Sequence, residues 1–221
     1  DNPITPEKIE LGRRLFFDPS LSDDRTGSCA TCHQPDRAFS DESPLSEGIL
    51  GRKGGRNTPT LVNRVYGRSF FWDGRARTLE EAVLMPVRDT LEMAMDVPRL
   101  IERVRGDATY RTQFAAAFPG GEIGEATVAQ ALATYVRSLV AGNSAFDRFR
   151  AGDGAALSAS AQRGQQLFFG RARCATCHQG TNFTDEGFEG LGVPSADPGR
   201  FAATGNERDR GNFKVPTLRD V

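Results

Sequence analysis

The sequence predicts a mainly α-helical chain in which one structural unit occurs twice. Apolar residues recur at the three- and four-residue spacing of a helix in Val97–Arg105, in Tyr110–Phe118 and most clearly in Ala126–Val140. Alternating runs typical of strands are scarce. The segment Gly12–Phe17, which ends in Leu-Phe-Phe, returns with the same ending at Gly164–Phe169. Such repetition indicates two versions of one unit.

Each unit is expected to open with a helix. Thr5 is suited to cap the first helix, because Pro6 follows at the first helical position and Glu7 lies in the positive first turn. The second helix is expected to begin at Ser158, where a serine precedes the repeated segment.

Segments rich in glycine and other turn residues separate these elements. Gly152–Gly154 is typical of a linker, so we expect one domain over residues 1–152 and a second over residues 153–221. Asp41–Asn57 and Gly187–Arg210 are expected to be irregular loops. Long loops of this kind are uncommon unless they hold a ligand or a cofactor.

Both units carry the pentapeptide Cys-Ala-Thr-Cys-His, at residues 29–33 and 174–178, and these motifs hold every cysteine and histidine of the chain. A second pair of similar segments follows the motifs, Phe39–Asp41 in one unit and Phe183–Asp185 in the other. In this motif two thioethers fasten a porphyrin edge and the histidine ligates the iron. The predicted attachment residues are Cys29, Cys32, Cys174 and Cys177, and the predicted iron ligands are His33 and His178.

Two other interpretations of these motifs are weaker. A zinc site would need four ligands pooled from both motifs, and a redox-active cysteine pair does not explain a histidine that follows twice. The sequence therefore predicts two covalently bound haems c.

The second face of each iron decides between electron transfer and catalysis, because a protein ligand there blocks the position that peroxide would occupy. The chain has no third histidine to fill that position. The remaining donors all precede the second motif, and they are Met85, Met93, Met95, Tyr66, Tyr110 and Tyr135.

Composition excludes several classes of partner. The formal net charge is −1, so the chain lacks the basic excess that a nucleic-acid partner requires. The most apolar stretch, Ala126–Gly142, is shorter than the ~20 residues of a membrane span. The chain begins at Asp1 without a methionine or an apolar leader, as a processed export product does. We therefore expect a periplasmic protein without a membrane span.

Several motifs in the same order carry a resemblance to a known family. They are Gly12–Phe17, the two attachment motifs, Arg56–Leu61, Phe71–Arg75, Pro86, Glu92–Met93 and Phe213–Arg219. Together they resemble the bacterial dihaem cytochrome c peroxidase and MauG superfamily. The resemblance implies two cytochrome c-like, mainly α-helical haem domains in tandem. The peroxidatic haem is then expected in residues 1–152 and the electron-transfer haem in residues 153–221.

The resemblance also implies roles for three side chains. Trp72 is similar to the tryptophan through which electrons pass between the haems, with a core packing role as the alternative. Glu92 is similar to the distal acid that moves the protons of peroxide, and the alternative is a solvated helix glutamate. Arg75 is expected to pair with a haem propionate or to form a surface ion pair.

A calcium ion between the domains is a further implication. Asn57 resembles its side-chain ligand, and backbone carbonyls near Lys214 and Pro216 resemble the other protein ligands. Oxygen donors suit such a hard cation. The alternative for Asn57 is a turn residue before Thr-Pro.

Three positions depart from the family pattern. Peroxidases that are inactive until reduced carry a blocking histidine in the loop before Asn57, whereas this chain has Ile49 there. A glutamine of the distal pocket is replaced by Ala82. The chain stops at Val221, before the point where relatives place the Met or Tyr ligand of the second haem. We therefore expect a fragment, a nicked chain or a missing C-terminal piece.

The resemblance implies that hydrogen peroxide reacts at the His33 haem with help from Glu92, and that oxidising equivalents reach the His178 haem through Trp72. The open position near Ile49 favours a MauG-like enzyme that oxidises a partner protein. The first alternative is a cytochrome c peroxidase supplied by a small redox protein. An alternative of another class is a non-catalytic dihaem electron-transfer cytochrome. Whether the protein is a monomer or a homodimer is left open.

Overall fold

The computed structural model describes residues 2–220, and most of its regular structure is helical. Besides short 3-10 turns, the α-helices and β-strands of the described residues are α1 Pro6–Phe17, α2 Cys29–Cys32, α3 Leu79–Ala82, α4 Met85–Arg88, α5 Val97–Gly106, α6 Ala108–Ala117, α7 Glu125–Ser138, α8 Ala145–Arg150, α9 Ala159–Phe169, α10 Phe201–Thr204, β1 Phe188–Glu189 and β2 Phe213–Lys214. The three helices predicted from apolar spacing are confirmed as α5, α6 and α7. Within the described residues every helix is too short or too polar to cross a membrane.

The chain divides into two compact units, Asp1–Leu139 and Val140–Val221. This boundary lies before the linker expected at Gly152–Gly154. The difference arises because α8 belongs to the second unit, where the Asp147 carboxylate accepts two hydrogen bonds from the guanidinium of Arg219, at 2.6 and 2.8 Å.

The first unit is built on the crossing of α1 and α7. Thr5 caps α1 as predicted, because its side chain accepts a hydrogen bond from the amide of Lys8. A Cβ at Gly12 would overlap the carbonyl oxygen of Ala131 and lie 2.8 Å from the Cβ of Tyr135. Only glycine therefore allows the two helices to approach this closely.

The α1–α7 interface is the centre of the main core. Leu11 and Leu15 of α1 and Val128 of α7 are fully buried, and burial of each such side chain contributes roughly 2 kcal/mol. A second apolar cluster packs α3 against α7 beside them. At its edge, Arg137 of α7 donates two hydrogen bonds to Glu80 of α3.

The second unit packs around aromatic rings. α9 begins after Ser158, as predicted, and Ser158 accepts a hydrogen bond from the amide of Ala161. The ring of Phe146 in α8 lies 6.2 Å from that of Phe169 in α9 and 5.1 Å from that of Phe183.

The expectation of an irregular loop over Gly187–Arg210 is wrong in part. That segment contains β1, which pairs antiparallel with β2 so that Phe188 lies opposite Lys214, and it also contains the short helix α10. Two-residue strands are too short for an alternating pattern to reveal them.

Candidate active site

The first Cys-Ala-Thr-Cys-His motif forms one helical turn, α2, with its histidine at the end. Cys29 and Cys32 are three residues apart in this turn, so both thiols lie on one side of it. The amide of His33 donates to the carbonyl oxygen of Cys29 over 2.9 Å. The Nδ1 atom of the same residue lies 2.9 Å from the carbonyl oxygen of Phe39. Because a carbonyl can only accept, Nδ1 is the donor and Nε2 keeps a lone pair for a metal.

The second motif repeats this arrangement in the other unit. The amide of His178 donates to the carbonyl oxygen of Cys174 over 3.0 Å, and its Nδ1 donates to the carbonyl oxygen of Phe183 over 3.1 Å. Phe39 and Phe183 both adopt left-handed backbone conformations, with φ of 56° and 51°. The repeat seen in the sequence is therefore a repeat of the histidine support as well.

A second pair of segments supports the two histidine turns, and the sequence reasoning missed its role. The hydroxyl of Thr60 donates to the carbonyl oxygen of Ala38 over 2.5 Å, and that of Thr217 donates to the carbonyl oxygen of Asn182 over 2.6 Å. The two accepting residues, Ala38 and Asn182, directly precede Phe39 and Phe183, whose carbonyl oxygens accept the hydrogen bonds from the histidines. The signal was present, since both threonines lie in the tripeptide Pro-Thr-Leu.

The chemistry of these groups fits covalently held haem. All four cysteines are free thiols. Burial raises the pKa of Cys29 to about 12 and that of Cys32 to about 11, with the charge of Glu92 adding to both. Burial also lowers the pKa of His33, which favours the neutral imidazole that ligates iron. The ring of Phe16 lies 6.4 Å from the His33 ring and supplies an apolar wall.

Glu92 lies near the first attachment motif, close enough for its charge to act on Cys29 and Cys32. The residue is half-buried. Burial and the neighbouring Asp89 carboxylate raise the pKa of Glu92, while Arg75 lowers it. Its carbonyl oxygen accepts a 2.8 Å hydrogen bond from the amide of Ile49. The structure thus brings together Glu92, Cys32 and the loop position expected to decide access to the iron.

Trp72 and Arg75 lie in one polar turn. The indole N–H of Trp72 donates to the carbonyl oxygen of Asn57 over 3.0 Å, which fixes the orientation of its ring. The carboxylate of Asp73 is 5% exposed and pairs with Arg56 at 2.7 Å and with Arg75 at 3.0 Å. The guanidinium of Arg75 also stacks 3.7 Å from the ring centre of Phe71. The ion-pair alternative for Arg75 is therefore present in the structure.

Several other residues considered in the sequence analysis have structural roles. Ala82 is buried in the second apolar cluster and offers no polar atom from its side chain. Met93 and Met95 are buried in the main core. The hydroxyl of Tyr110 donates to the carboxylate of Asp18 over 2.5 Å.

The residues predicted to bind calcium are divided between the units. Asn57 is exposed in the first unit, whereas Lys214 and Pro216 belong to the second. The ammonium of Lys214 donates to the carboxylate of Glu186 over 2.8 Å, and both side chains are 7% exposed. Lys214 can therefore contribute only its backbone carbonyl to a cation.

Comparisons with known proteins agree with the motifs. The family model described as di-haem cytochrome c peroxidase matches residues 6–155. All of the chain is 42% identical to the methylamine utilization protein MauG of Methylorubrum extorquens and covers 64% of it. Over 99% of its length, the chain is 36% identical to the cytochrome c551 peroxidase of Pseudomonas aeruginosa, and it covers 66% of that protein. The chain thus spans just under two thirds of each of these curated relatives.

Comparison with solved structures indicates the same family. The crystal structure of a MauG-like protein associated with microbial copper homeostasis matches all of this chain with a TM-score of 0.92 at 34% identity, and 71% of that protein is covered. The diheme peroxidase BthA of Burkholderia thailandensis matches all of this chain and 67% of its own, with a TM-score of 0.86 at 25% identity. Motif order, family model and fold agree, and the chain belongs to the di-haem cytochrome c peroxidase family.

Proposed function

We propose that the protein is a hydrogen-peroxide-dependent dihaem oxidoreductase of the MauG type that oxidises a partner protein. Two haems c are attached through the motifs at residues 29–33 and 174–178, and they supply the redox-active iron for cleavage of peroxide. The first unit is assigned the peroxidatic role and the second the electron-transfer role. The support is the repeated histidine arrangement, in which Nδ1 of His33 and of His178 donates to a backbone carbonyl oxygen and Nε2 is the ring nitrogen left to ligate iron.

Glu92 is assigned the movement of the peroxide protons. Its carboxylate would accept a proton from one oxygen of hydrogen peroxide and deliver it to the other oxygen, which would leave as water when the O–O bond breaks. The two electrons that this cleavage requires would come from the two haems. A raised pKa supports this role, because the carboxylate is then a stronger base and accepts the peroxide proton more readily.

The observation that carries the proposal is the pairing of Ile49 with Glu92. Inactive-until-reduced peroxidases are expected to have a blocking histidine near this position, and the aliphatic side chain of Ile49 cannot ligate iron. Ile49 is 5% exposed and its amide is bonded to the Glu92 carbonyl. We therefore assign an iron that is accessible to peroxide in the oxidised protein, which favours the MauG type.

Trp72 is assigned the passage of oxidising equivalents between the two haems. The fixed orientation of its indole supports this role, since the hydrogen bond to Asn57 removes rotational freedom from the ring. Arg75 is assigned to a haem propionate through the N–H groups that do not face Asp73.

Calcium is proposed as a third cofactor. Its ligands would be the side chain of Asn57 and backbone carbonyls near Lys214 and Pro216, and oxygen donors of this kind suit a hard cation. A periplasmic location is proposed with it. Both proposals follow from the family resemblance and from the order of the motifs.

One observation favours a second candidate, a cytochrome c peroxidase that takes electrons from a small redox protein. The identity to the Pseudomonas cytochrome c551 peroxidase is 36%, only modestly below the 42% identity to MauG. The same two-haem arrangement serves either reductant, so the two candidates differ in the partner and in the oxidation state that reacts.

A stopped-flow comparison of the holoprotein in two oxidation states tests the proposal. Equimolar peroxide is mixed with the fully oxidised protein and with protein that has received one electron. We expect the oxidised form to react in a single rapid phase. A reaction that requires prior reduction would replace the proposal with the cytochrome c peroxidase candidate. An unchanged spectrum in both states would leave an electron-transfer cytochrome.

A further inference from the structure

We propose that Gly48 and Ile49 form a positioning element that sets where Glu92 stands relative to the first haem-attachment motif. The inference rests on the proposed function, in which Glu92 moves the peroxide protons. Both residues belong to the loop of residues 47–53, which we call the spacer loop. It occupies the stretch in which peroxidases that are inactive until reduced carry a blocking histidine, and in this chain we assign it a different role.

The spacer loop is a closed turn that holds its own shape. Glu47 and Lys53 pair as an antiparallel bridge, and their side chains form an ion pair. Inside the turn, the amide of Gly48 donates to the carbonyl oxygen of Arg52 over 2.8 Å. The amide of Arg52 donates to the carbonyl oxygen of Ile49 over 3.2 Å. These bonds satisfy the backbone locally, so the turn acts as one body.

The spacer loop contacts the backbone of the Glu92 segment. Besides the bond from Ile49 to Glu92, the guanidinium of Arg52 donates to the carbonyl oxygen of Thr90 over 2.6 Å. A Cβ at Gly48 would overlap the carbonyl oxygen of Leu91 and lie 2.6 Å from the Cα of Glu92. The φ of Gly48 is −89°, which any residue adopts. Glycine is therefore required for space and not for backbone conformation.

The opposite side of the spacer loop contacts the haem-attachment motif. The Sγ atom of Cys32 lies 3.6 Å from the carbonyl oxygen of Glu47. A Cβ at Gly27, close to the start of α2, would lie 3.3 Å from the Cγ2 of Ile49. The loop thus fills the distance between the residue that anchors the porphyrin edge and the backbone of Glu92. A change in its thickness moves Glu92 and leaves the attachment residues in place.

The test compares two Gly→Ala variants of the holoprotein. Gly48→Ala inserts a methyl group into the contact with Glu92, whereas Gly55→Ala adds one where no heavy atom lies within 4 Å. A misplacement of about 1 Å can cost 10²-fold in rate. We expect Gly48→Ala to lower the rate constant for peroxide by roughly 10- to 100-fold. Gly55→Ala should stay within twofold.

Cyanide binding to the ferric protein supplies a readout that is not turnover. Hydrogen cyanide must also lose a proton to a nearby base before it binds, so its association rate depends on the position of Glu92. We expect Gly48→Ala to slow cyanide association as well, with both haem absorption bands retained. Normal cyanide association in Gly48→Ala would overturn the inference.

A double-mutant cycle shows whether Gly48 acts through Glu92. If it does, adding Gly48→Ala to Glu92→Gln changes the peroxide rate constant by less than twofold, because the group that it displaces has already lost its function. Losses that multiply would show that Gly48 acts elsewhere and would overturn the inference. A normal rate in Glu92→Gln alone would instead overturn the proposed role of Glu92.

A milder variant covers the case in which Gly48→Ala does not fold. Arg52 is exposed, so Arg52→Gln removes the bond to Thr90 without disturbing the core. We expect a smaller loss in the peroxide rate constant, about 3- to 10-fold, which corresponds to about 1 kcal/mol for one hydrogen bond. That loss should vanish in the Glu92→Gln background. Its persistence there would count against the spacer loop.

Discussion

His33 donates its Nδ1 proton to the carbonyl oxygen of Phe39 across 2.9 Å. Phe39 adopts a left-handed backbone conformation, with φ of 56°, which a side-chain-bearing residue takes up at a cost of about 1 kcal/mol. The hydroxyl of Thr60 offsets that cost by holding the preceding carbonyl, that of Ala38. Orientation of His33, the proposed iron ligand, therefore depends on a turn maintained by a threonine distant in sequence.

Removal of either threonine hydroxyl should affect one haem and spare the other. Thr60→Val weakens the turn that holds His33, and Thr217→Val weakens the equivalent turn of His178. A weaker acceptor makes the imidazole a poorer donor to ferric iron, so the reduction potential of the affected haem should rise by about 20 mV, or half a kcal/mol. A spectroelectrochemical titration measures both haems. Equal shifts of both haems in each variant would contradict the account.

Glu92→Gln should slow the reaction with peroxide by about 10²- to 10³-fold, because the amide cannot accept a proton. Burial, together with Asp89, raises the pKa of Glu92 above its usual 4.5. The reactive form is the carboxylate, so the wild-type rate should fall as the pH drops through a midpoint above 4.5. The variant should lack this dependence. Stopped-flow rates between pH 4 and 8 measure both effects, and an unaltered pH profile in the variant would exclude Glu92.

Trp72→Phe should separate the two stages of the reaction. The first encounter with peroxide does not involve the indole, so its rate constant should stay within twofold. Transfer of oxidising equivalents to the second haem should slow by about tenfold or more, equivalent to about 1.4 kcal/mol of barrier. Time-resolved absorption at both haems distinguishes these steps. A variant in which both haems respond at the wild-type rate would remove Trp72 from the path.

Glu80→Gln should remove part of the acid sensitivity of the first unit. Burial of Glu80 opposes ionisation, but hydrogen bonds from Arg137 and Asn2 prevail and lower its pKa to about 2. The native ion pair therefore stabilises the fold above pH 4.5, and this stability is lost as the pH falls towards 2. The variant should be less stable than the wild type by about 2 kcal/mol at pH 7.

Denaturant unfolding of the holoprotein at pH 7 and at pH 2.5 checks the Glu80 prediction. The difference in unfolding free energy between Glu80→Gln and the wild type should shrink as the pH decreases. Arg88→Gln serves as a control, because the ion pair between Arg88 and Glu125 is about half exposed on both sides and contributes little. A difference that is constant with pH would show that Glu80 acts by packing alone.

The sequence was sufficient for features that are contiguous or long. Helices of 10 to 14 residues, such as α5 and α7, contain enough turns for apolar spacing to appear. The proposed attachment motifs could be identified because five adjacent residues carry the chemistry that the proposal requires. The unit boundary was not, because the bond between Asp147 and Arg219 joins residues on either side of Gly152–Gly154.

Parts of the candidate site could not be read from the sequence, because their partners are remote along the chain. Nothing in the sequence around Gly48 indicates a contact with Leu91, and the need for glycine depends on what lies opposite. The hydroxyl of Thr60 finds its acceptor in Ala38. In both cases the sequence shows the residue type, but only the folded structure shows which residue it contacts.

The proposed reaction requires an iron that is open to peroxide on the side of Glu92. Quantitative electron paramagnetic resonance of the fully oxidised holoprotein determines whether such an iron is present. We predict a high-spin ferric signal equivalent to one haem per chain, which disappears when cyanide is added. Two low-spin signals in the resting protein, with no high-spin component, would mean that both irons carry protein ligands on each face and would contradict the account.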